Sequence, residues 1–471
     1  MSRNALFIDG AWRSATDPDR HSVMGAATGE TLYLVPEATP REIDQAVDAA
    51  RGALDGWRST SAQIRSELLL SMREGVLERL EEIAEIWATE AGMPISAGRA
   101  ATGGLPVSAL ESFAEIARTF EYEQSLGHSR MLYEPRGVAV AITPWNYPFS
   151  QVVIKAATAM AAGCTVVAKP SELAPGCAYV FAEITADAGV PDGVFNLLSG
   201  SGASVGESLV AHTGTDVVSF TGSTATGVQI LRTAAPQLKP CTLELGGKSP
   251  LLILPNAPLL AAVSGGMASC FRNNGQTCTA LTRFIVPRRL MSEVTDIARD
   301  YADSSVVGNP LDEATTIGPL VSASQWERVQ SYIRSGIEAG ASLVTGGLGH
   351  PEGLDAGYYV KPTVFTDVEQ DSRIAREEIF GPVLSIIPYD SQEEAIRLAN
   401  DSDYGLAASV WGSDQDEALS VGRQLVAGTI SVNGGAFNPA APYGGLRRSG
   451  MGHELGEAGF REFLEVKVLN V

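Results

Sequence analysis

Apolar residues recur at three- and four-residue spacing through Arg41 to Trp57 and Ile64 to Glu90, and predict helices there. Thr39-Pro40-Arg41-Glu42 has the form of a helix start, with Thr as cap and Pro in the first turn. The first hundred residues therefore read as largely helical. From Val138 the texture changes to short β-branched runs alternating with helical stretches. The predicted strands are 138–142, 165–168, 194–198, 216–220 and 241–244; the predicted helices between them are 149–162, 175–188, 203–211 and 224–234. Continuous apolar strands separated by helices imply a parallel sheet buried on both faces. Ligands of such sheets bind beyond the carboxyl ends of the strands. The loops after Ile142, Ala168, Phe220 and Glu244 are the places to search. A second α/β segment runs from about Pro250 to Leu425, punctuated by turns such as Gly346-Gly347-Leu348-Gly349. The last stretch, Phe463 to Val471, alternates like a strand, and with few partners in its own chain it is expected to pair with another subunit.

Composition narrows the function classes. At roughly 150 residues per domain, the 471 residues suggest about three domains. Lys and Arg total 34 against 55 Asp and Glu, a net charge of −21 that repels nucleic acid and anionic membrane. No stretch reaches the roughly 18–20 apolar residues that cross a bilayer. The start, Met1 to Gly10, has no basic segment followed by an apolar core, so a cytoplasmic location without a secretory signal is expected. The five cysteines (164, 177, 241, 270 and 278) form no CxxC pair and read as reduced thiols. The five histidines stand apart from one another, and no metal site is expected.

Several loops carry residues suited to chemistry. Phe220-Thr-Gly-Ser-Thr-Ala-Thr-Gly227 follows a strand and opens a helix; Gly222 permits a tight turn, and Ser223 with the first-turn amides suits a phosphate. An ordinary strand–helix turn is the competing reading. Lys169 and Glu172 lie just past another strand, where they suit the two hydroxyls of a ribose or form a solvated surface pair. A carboxylate there disfavours a 2′-phosphate by ~1 kcal/mol, which favours NAD over NADP. Pro144-Trp-Asn-Tyr-Pro148 holds Asn146 as a fixed amide donor of the kind an oxyanion hole needs. Cys278, among small polar residues in Asn273-Asn-Gly-Gln-Thr-Cys-Thr279, is the best nucleophile candidate. Glu244, between Leu243 and Leu245, is either a general base with a raised pKa or a buried glutamate paired with a lysine.

Seven stretches in this order together resemble the NAD(P)-dependent aldehyde dehydrogenase superfamily, in its hydrolytic, acid-forming branch. They are PWNYP at 144–148, KPSE at 169–172, FTGSTATG at 220–227, LELGGKSP at 243–250, GQTC at 275–278, EEIFGPV at 377–383 and PYGGLRRSG at 442–450. The similarity covers nearly the whole chain. It implies an α/β fold with a Rossmann-like parallel-sheet cofactor domain (1–118 and 137–244), an α/β catalytic domain (245–447) and a small β oligomerisation arm (119–136 and 448–471). It implies Cys278 as nucleophile, Glu244 as general base and Asn146 as side-chain donor of the oxyanion hole. The cofactor set it implies is Ile142, Trp145, Lys169, Glu172, Gly222, Ser223, Leu245, Glu378 and Phe380. Lys169 and Glu172 would take the adenosine ribose, Ser223 and Trp145 the pyrophosphate, and Glu378 the nicotinamide ribose beside Phe380.

The resemblance further implies NAD as cofactor with NADP open, a small aldehyde as substrate, and a homodimer or homotetramer. In the chemistry it implies, the Cys278 thiolate adds to the carbonyl, hydride leaves to the nicotinamide, and Glu244 activates water to hydrolyse the thioester. By alignment Tyr147, Gln151, Ile154, Thr277 and Phe437 would line the approach tunnel. That set has no cationic anchor and suits an aromatic or medium aliphatic aldehyde. The alternatives are a semialdehyde dehydrogenase of a catabolic route and a cofactor-independent thiol acyl-hydrolase, against which no Cys–His pairing is visible. Many relatives carry Gly-Arg-Glu where this chain has Gly452-His453-Glu454, which leaves details of assembly open.

Overall fold

The computed structural model describes residues 4–16 and 19–471, so the first three residues of the Met1–Gly10 segment lie outside the description. Among the described residues an eight-stranded sheet is ordered Gly450–Met451, Cys241–Glu244, Val217–Thr221, Val138–Ile142, Thr165–Lys169, Phe195–Leu197, Ala5–Ile8 and Ala11–Ser14. Its five central members pair in parallel. The chain starts this core at Val138–Ile142, then builds outward on one side through Thr165–Lys169 and on the other through Val217–Thr221. The order thus reverses beside Val138–Ile142, and the loops after that strand and after Val217–Thr221 diverge to leave a crevice.

Residues alternate between the two faces of these strands as the pleat requires. Ala139, Ala141, Val166 and Ala168 enter one core with the helix Pro148–Ala162, whereas Val138, Val140, Ile142 and Val167 enter another with the helix Pro40–Ser59. Burial on both faces is why the sequence shows continuous apolar runs here. A seven-stranded sheet forms a second layer, with Leu281–Pro287 flanked by Ser249–Ile253 and Val383–Tyr389 in parallel pairing. It too has a core on either side.

Three expectations need correction. The first hundred residues hold four strands as well as helices: Ala5–Ile8, Ala11–Ser14, Arg20–Met24 and Thr31–Pro36. All four residues of Ala11–Ser14 are exposed, so no apolar alternation marks them. The periodic run from Ile64 to Glu90 is two helices, Ala62–Glu78 and Leu80–Ala91, broken where Arg79 leaves helical geometry at φ −107° and ψ 15°. The terminal strand Leu464–Asn470 is not short of partners in its own chain. It pairs antiparallel along its whole length with Ser129–Pro135, which also pairs with Glu123–Leu126. Among the described residues its outer edge carries no strand, and Val466 and Val468 on it are exposed. Thr39 caps its helix with Pro in the first turn as the sequence predicts, and Glu42 adds the other half of a capping box by reaching back to the Thr39 backbone.

Candidate active site

The crevice at the strand ends collects most of the predicted residues. The strand Val138–Ile142 leads into Pro144-Trp-Asn-Tyr and then into Pro148–Ala162, a helix with Pro in its first turn. The Asn146 carbonyl accepts from Trp87 Nε1 at 3.1 Å and from Asn273 Nδ2 at 2.8 Å, which fixes the loop between two layers. Its side-chain amide donates to the Gln276 carbonyl at 2.9 Å. An amide nitrogen carries two hydrogens, so one remains for a ligand.

Cys278 stands at the end of a loop that the structure holds in a strained shape. Asn273, Asn274 and Gly275 are all left-handed, with φ of 51°, 60° and 75°. Gly275 is required there: a Cβ would lie 2.1 Å from the Gly381 carbonyl carbon. Buried amides compensate the strain. Asn274 Nδ2 donates to the Gly92 and Pro319 carbonyls, and its Oδ1 accepts from Gly318 N at 2.6 Å. Gln276 Oε1 accepts from Val321 N at 3.0 Å. These amides were missed as positioning residues, because their partners come from segments far away in sequence.

Burial pushes the Cys278 thiol up to about 12, with Glu378 and Glu244 adding to the rise and a hydrogen bond from Tyr443 opposing it. Tyr443 Oη lies 3.7 Å from the sulfur. Glu244, at the end of its strand, is 3% exposed, and neither carboxylate oxygen has a hydrogen-bond partner among the described residues. Burial, then repulsion from Glu454, raises its pKa well above the usual carboxylate range; Lys155 pulls the other way. Of the two readings for Glu244, pairing with a lysine fails: Lys155 is fully buried and bonds Glu454 instead, and also Ser219 Oγ at 3.2 Å. A buried, unpaired carboxylate near the thiol is built to hold a proton in one state and release it in another.

The cofactor candidates line the other side. Lys169 closes the strand next to Ile142, in register with it, and is buried. Its ammonium donates to Glu172 at 3.2 Å, which leaves further donors for a diol. Ser223 caps the helix Thr224–Ala234, accepting from Thr226 N at 3.1 Å, and Gly222 N donates to the Glu244 carbonyl at 3.0 Å. Leu245 N is held by the Ser449 carbonyl at 2.8 Å. Glu378 Oε1 accepts from Gly247 N at 2.9 Å; a Cβ on Gly246 would come 2.4 Å from its other oxygen. Burial lifts the Glu378 carboxyl to about 7. Phe380, itself left-handed at φ 65°, meets Trp145 edge-on with ring centres 5.3 Å apart. A half-buried acid held against a glycine backbone, a lysine–glutamate pair and a helix N-terminus capped by Ser223 fit a dinucleotide's riboses and pyrophosphate.

The tunnel candidates divide. Tyr147 bonds Thr277 Oγ1 at 3.0 Å, and Phe437, half-exposed, lies edge-on to Tyr443 with ring centres 6.0 Å apart. Gln151 instead accepts from Thr221 Oγ1 at 3.0 Å, and Ile154 is buried in the core of the first sheet. Among the described residues no group of three or more His, Cys, Asp and Glu could hold a metal ion, and no helix is long and apolar enough to cross a membrane.

Comparison with known proteins agrees over the full length. Residues 12–469 match the model of the aldehyde dehydrogenase family. The 3-succinoylsemialdehyde-pyridine dehydrogenase of a Pseudomonas species is 45% identical over 470 residues, which is 98% of each chain. A mutant of aldehyde dehydrogenase C from Pseudomonas syringae, solved with NAD+ and octanal, is 43% identical with a TM-score of 0.98, covering 100% of this chain and 97% of that one. An aldehyde dehydrogenase of Mycobacterium tuberculosis complexed with NAD+ is 40% identical with a TM-score of 0.96, covering 99% and 98%.

Proposed function

Because the chain belongs to the aldehyde dehydrogenase family, we propose that it oxidises an aromatic or medium aliphatic aldehyde to the free carboxylic acid with NAD. The observation that carries the reading is the unpaired Glu244 carboxylate acting on the Cys278 thiol, beside a loop to which the Asn146 amide is bonded through the Gln276 carbonyl. NAD supplies the acceptor for the hydride that the aldehyde carbon gives up. Lys169 and Glu172 would hold its adenosine ribose, Ser223 and Trp145 its pyrophosphate, and Glu378 with Phe380 its nicotinamide half. Ile142, Gly222 and Leu245 would complete the set that holds it.

The Cys278 sulfur adds to the carbonyl carbon. The oxygen then carries charge that the free Asn146 N–H and the Cys278 backbone N–H stabilise; one such donor is worth roughly 10²–10³ in rate. After oxidation the acyl group stays on sulfur. Glu244 takes a proton from water, which attacks the acyl carbon and releases the acid and the thiolate. A carboxylate at this position supports hydrolysis rather than transfer of the acyl group to another thiol.

Tyr147, Thr277 and Phe437 offer aromatic and small polar surface with no cation among them, which supports an uncharged substrate. The octanal bound to the Pseudomonas syringae relative and the pyridine semialdehyde named for the other relative suit the same preference. The latter name also favours a second reading, a semialdehyde dehydrogenase. The two large sheets serve as cofactor and catalytic domains, and the three-stranded sheet with its bare edge as the arm that joins subunits. The test is NADH or NADPH formation across linear, aromatic and carboxylate-bearing aldehydes. The reading expects octanal- and benzaldehyde-type substrates with NAD to lead; a strong preference for a carboxylate-bearing semialdehyde would overturn the substrate assignment.

A further inference from the structure

Tyr443 lies in a turn-rich stretch, Pro442-Tyr-Gly-Gly445, whose sequence carries no chemical signal by itself. The structure puts its hydroxyl 3.7 Å from Cys278 Sγ, and among the described residues the phenol's hydrogen-bond partner is that sulfur. The residue is rigidly mounted. Tyr443 N donates to the Glu454 carbonyl and Glu454 N donates to the Tyr443 carbonyl, each at 2.7 Å, and the Glu454 side chain is tied to buried Lys155. Phe437 meets the phenol ring edge-on from the solvent side.

The surroundings of the sulfur give this contact its meaning. Besides burial, the largest influences on Cys278 are Tyr443, Glu378, Glu244 and its own backbone amide; the two carboxylates oppose a thiolate. No lysine, arginine or histidine is among them. A half-buried thiol with acids for neighbours needs neutral donors to ionise. Tyr443 in turn faces Cys278, Glu244 and Glu454, and burial with these three keeps its phenol protonated well beyond its ordinary range. Between the two, the phenol is therefore the donor and the sulfur the acceptor. We propose that the Tyr443 hydroxyl donates a hydrogen bond to Cys278 Sγ and holds it as the thiolate nucleophile. This rests on the reading of Cys278 as nucleophile.

The test uses the full-length protein with Tyr443→Phe, which keeps the ring and removes only the hydroxyl. Iodoacetamide labelling of the Cys278 peptide is followed by mass spectrometry from pH 6 to 10, alongside kcat/KM for octanal with NAD. A hydrogen bond to a charged group is worth about one pKa unit, so labelling at pH 8 should fall about tenfold and its pH curve should move up by about one unit. The melting temperature and NAD affinity stay as in the parent. An unchanged labelling curve overturns the proposal, and a fall in turnover alone would assign the hydroxyl to the aldehyde instead. If the phenylalanine variant does not fold, 3-fluorotyrosine at 443, a stronger donor of nearly the same shape, should move the curve to lower pH; no movement is the contrary result. Labelling does not depend on turnover. Loss of activity in Cys278→Ala with an unmoved Tyr443→Phe curve would thus sink this role and spare the function.

Discussion

Replacing Glu244 by glutamine separates the two halves of the reaction. The side chain keeps its shape and loses only its ability to take a proton. General-base catalysis contributes roughly 10²–10⁴ in rate, or about 3–5 kcal/mol of barrier. On the proposed reading, acylation of Cys278 does not need this group and deacylation does. The expected record is one equivalent of NADH per subunit in a fast phase, then turnover slower by that factor. Mass spectrometry should show the acyl group on the peptide that holds Cys278. Stability moves in a defined direction as well. Burial and Glu454 raise the Glu244 pKa above 4.5, so ionised Glu244 weakens the folded state. Each unit of that rise costs about 1.4 kcal/mol. The cost is absent below the unfolded pKa and grows as pH rises toward the folded one. Melting temperatures of variant and parent should therefore diverge in the variant's favour as pH rises above the ordinary carboxylate range. Steady turnover at the parental rate, with no acyl adduct, would refute the assignment of Glu244 as base.

Lys155→Met leaves buried Glu454 without its cation, and breaking such a pair costs about 3–5 kcal/mol, read as a lowered melting temperature. The same change removes the charge that holds the Glu244 pKa down, so the acid limb of the kcat profile should shift to higher pH. Gly275→Ala puts a Cβ against the Gly381 backbone and asks alanine to hold φ 75°. Displacing the nucleophile loop by about 1 Å should cost on the order of 10²-fold in kcat/KM while NAD affinity, measured by calorimetry, is retained.

The central sheet was legible because its strands are buried on both faces. Val138–Ile142 is a continuous apolar run, Cys241–Glu244 leads into a Gly-Gly turn, and the observed bounds of both match the predicted ones. The chemistry-bearing loops were legible for the same reason, since a strand end says where Asn146, Lys169 and Glu244 must sit. What stayed hidden depends on partners distant in the chain. The exposed strand Ala11–Ser14 is held by pairing with Ala5–Ile8, and nothing in its own residues marks it. The left-handed turn at Asn273 and Asn274 is stable because of carbonyls at Asn146, Gly92 and Pro319. Lys155 reads as a polar interruption of an apolar helix until the fold delivers Glu454 to it. The place of Tyr443 at the sulfur likewise depends on Glu454, whose backbone clamps it from eleven residues further on.

The most direct test of the account is NADH formation from octanal by Cys278→Ala beside the parent protein, with NAD binding measured on both. The account predicts that NAD still binds and that absorbance at the NADH band stays flat for the variant while it climbs for the parent. An alanine variant that produces NADH at the parent's rate would contradict the assignment of this sulfur as the nucleophile.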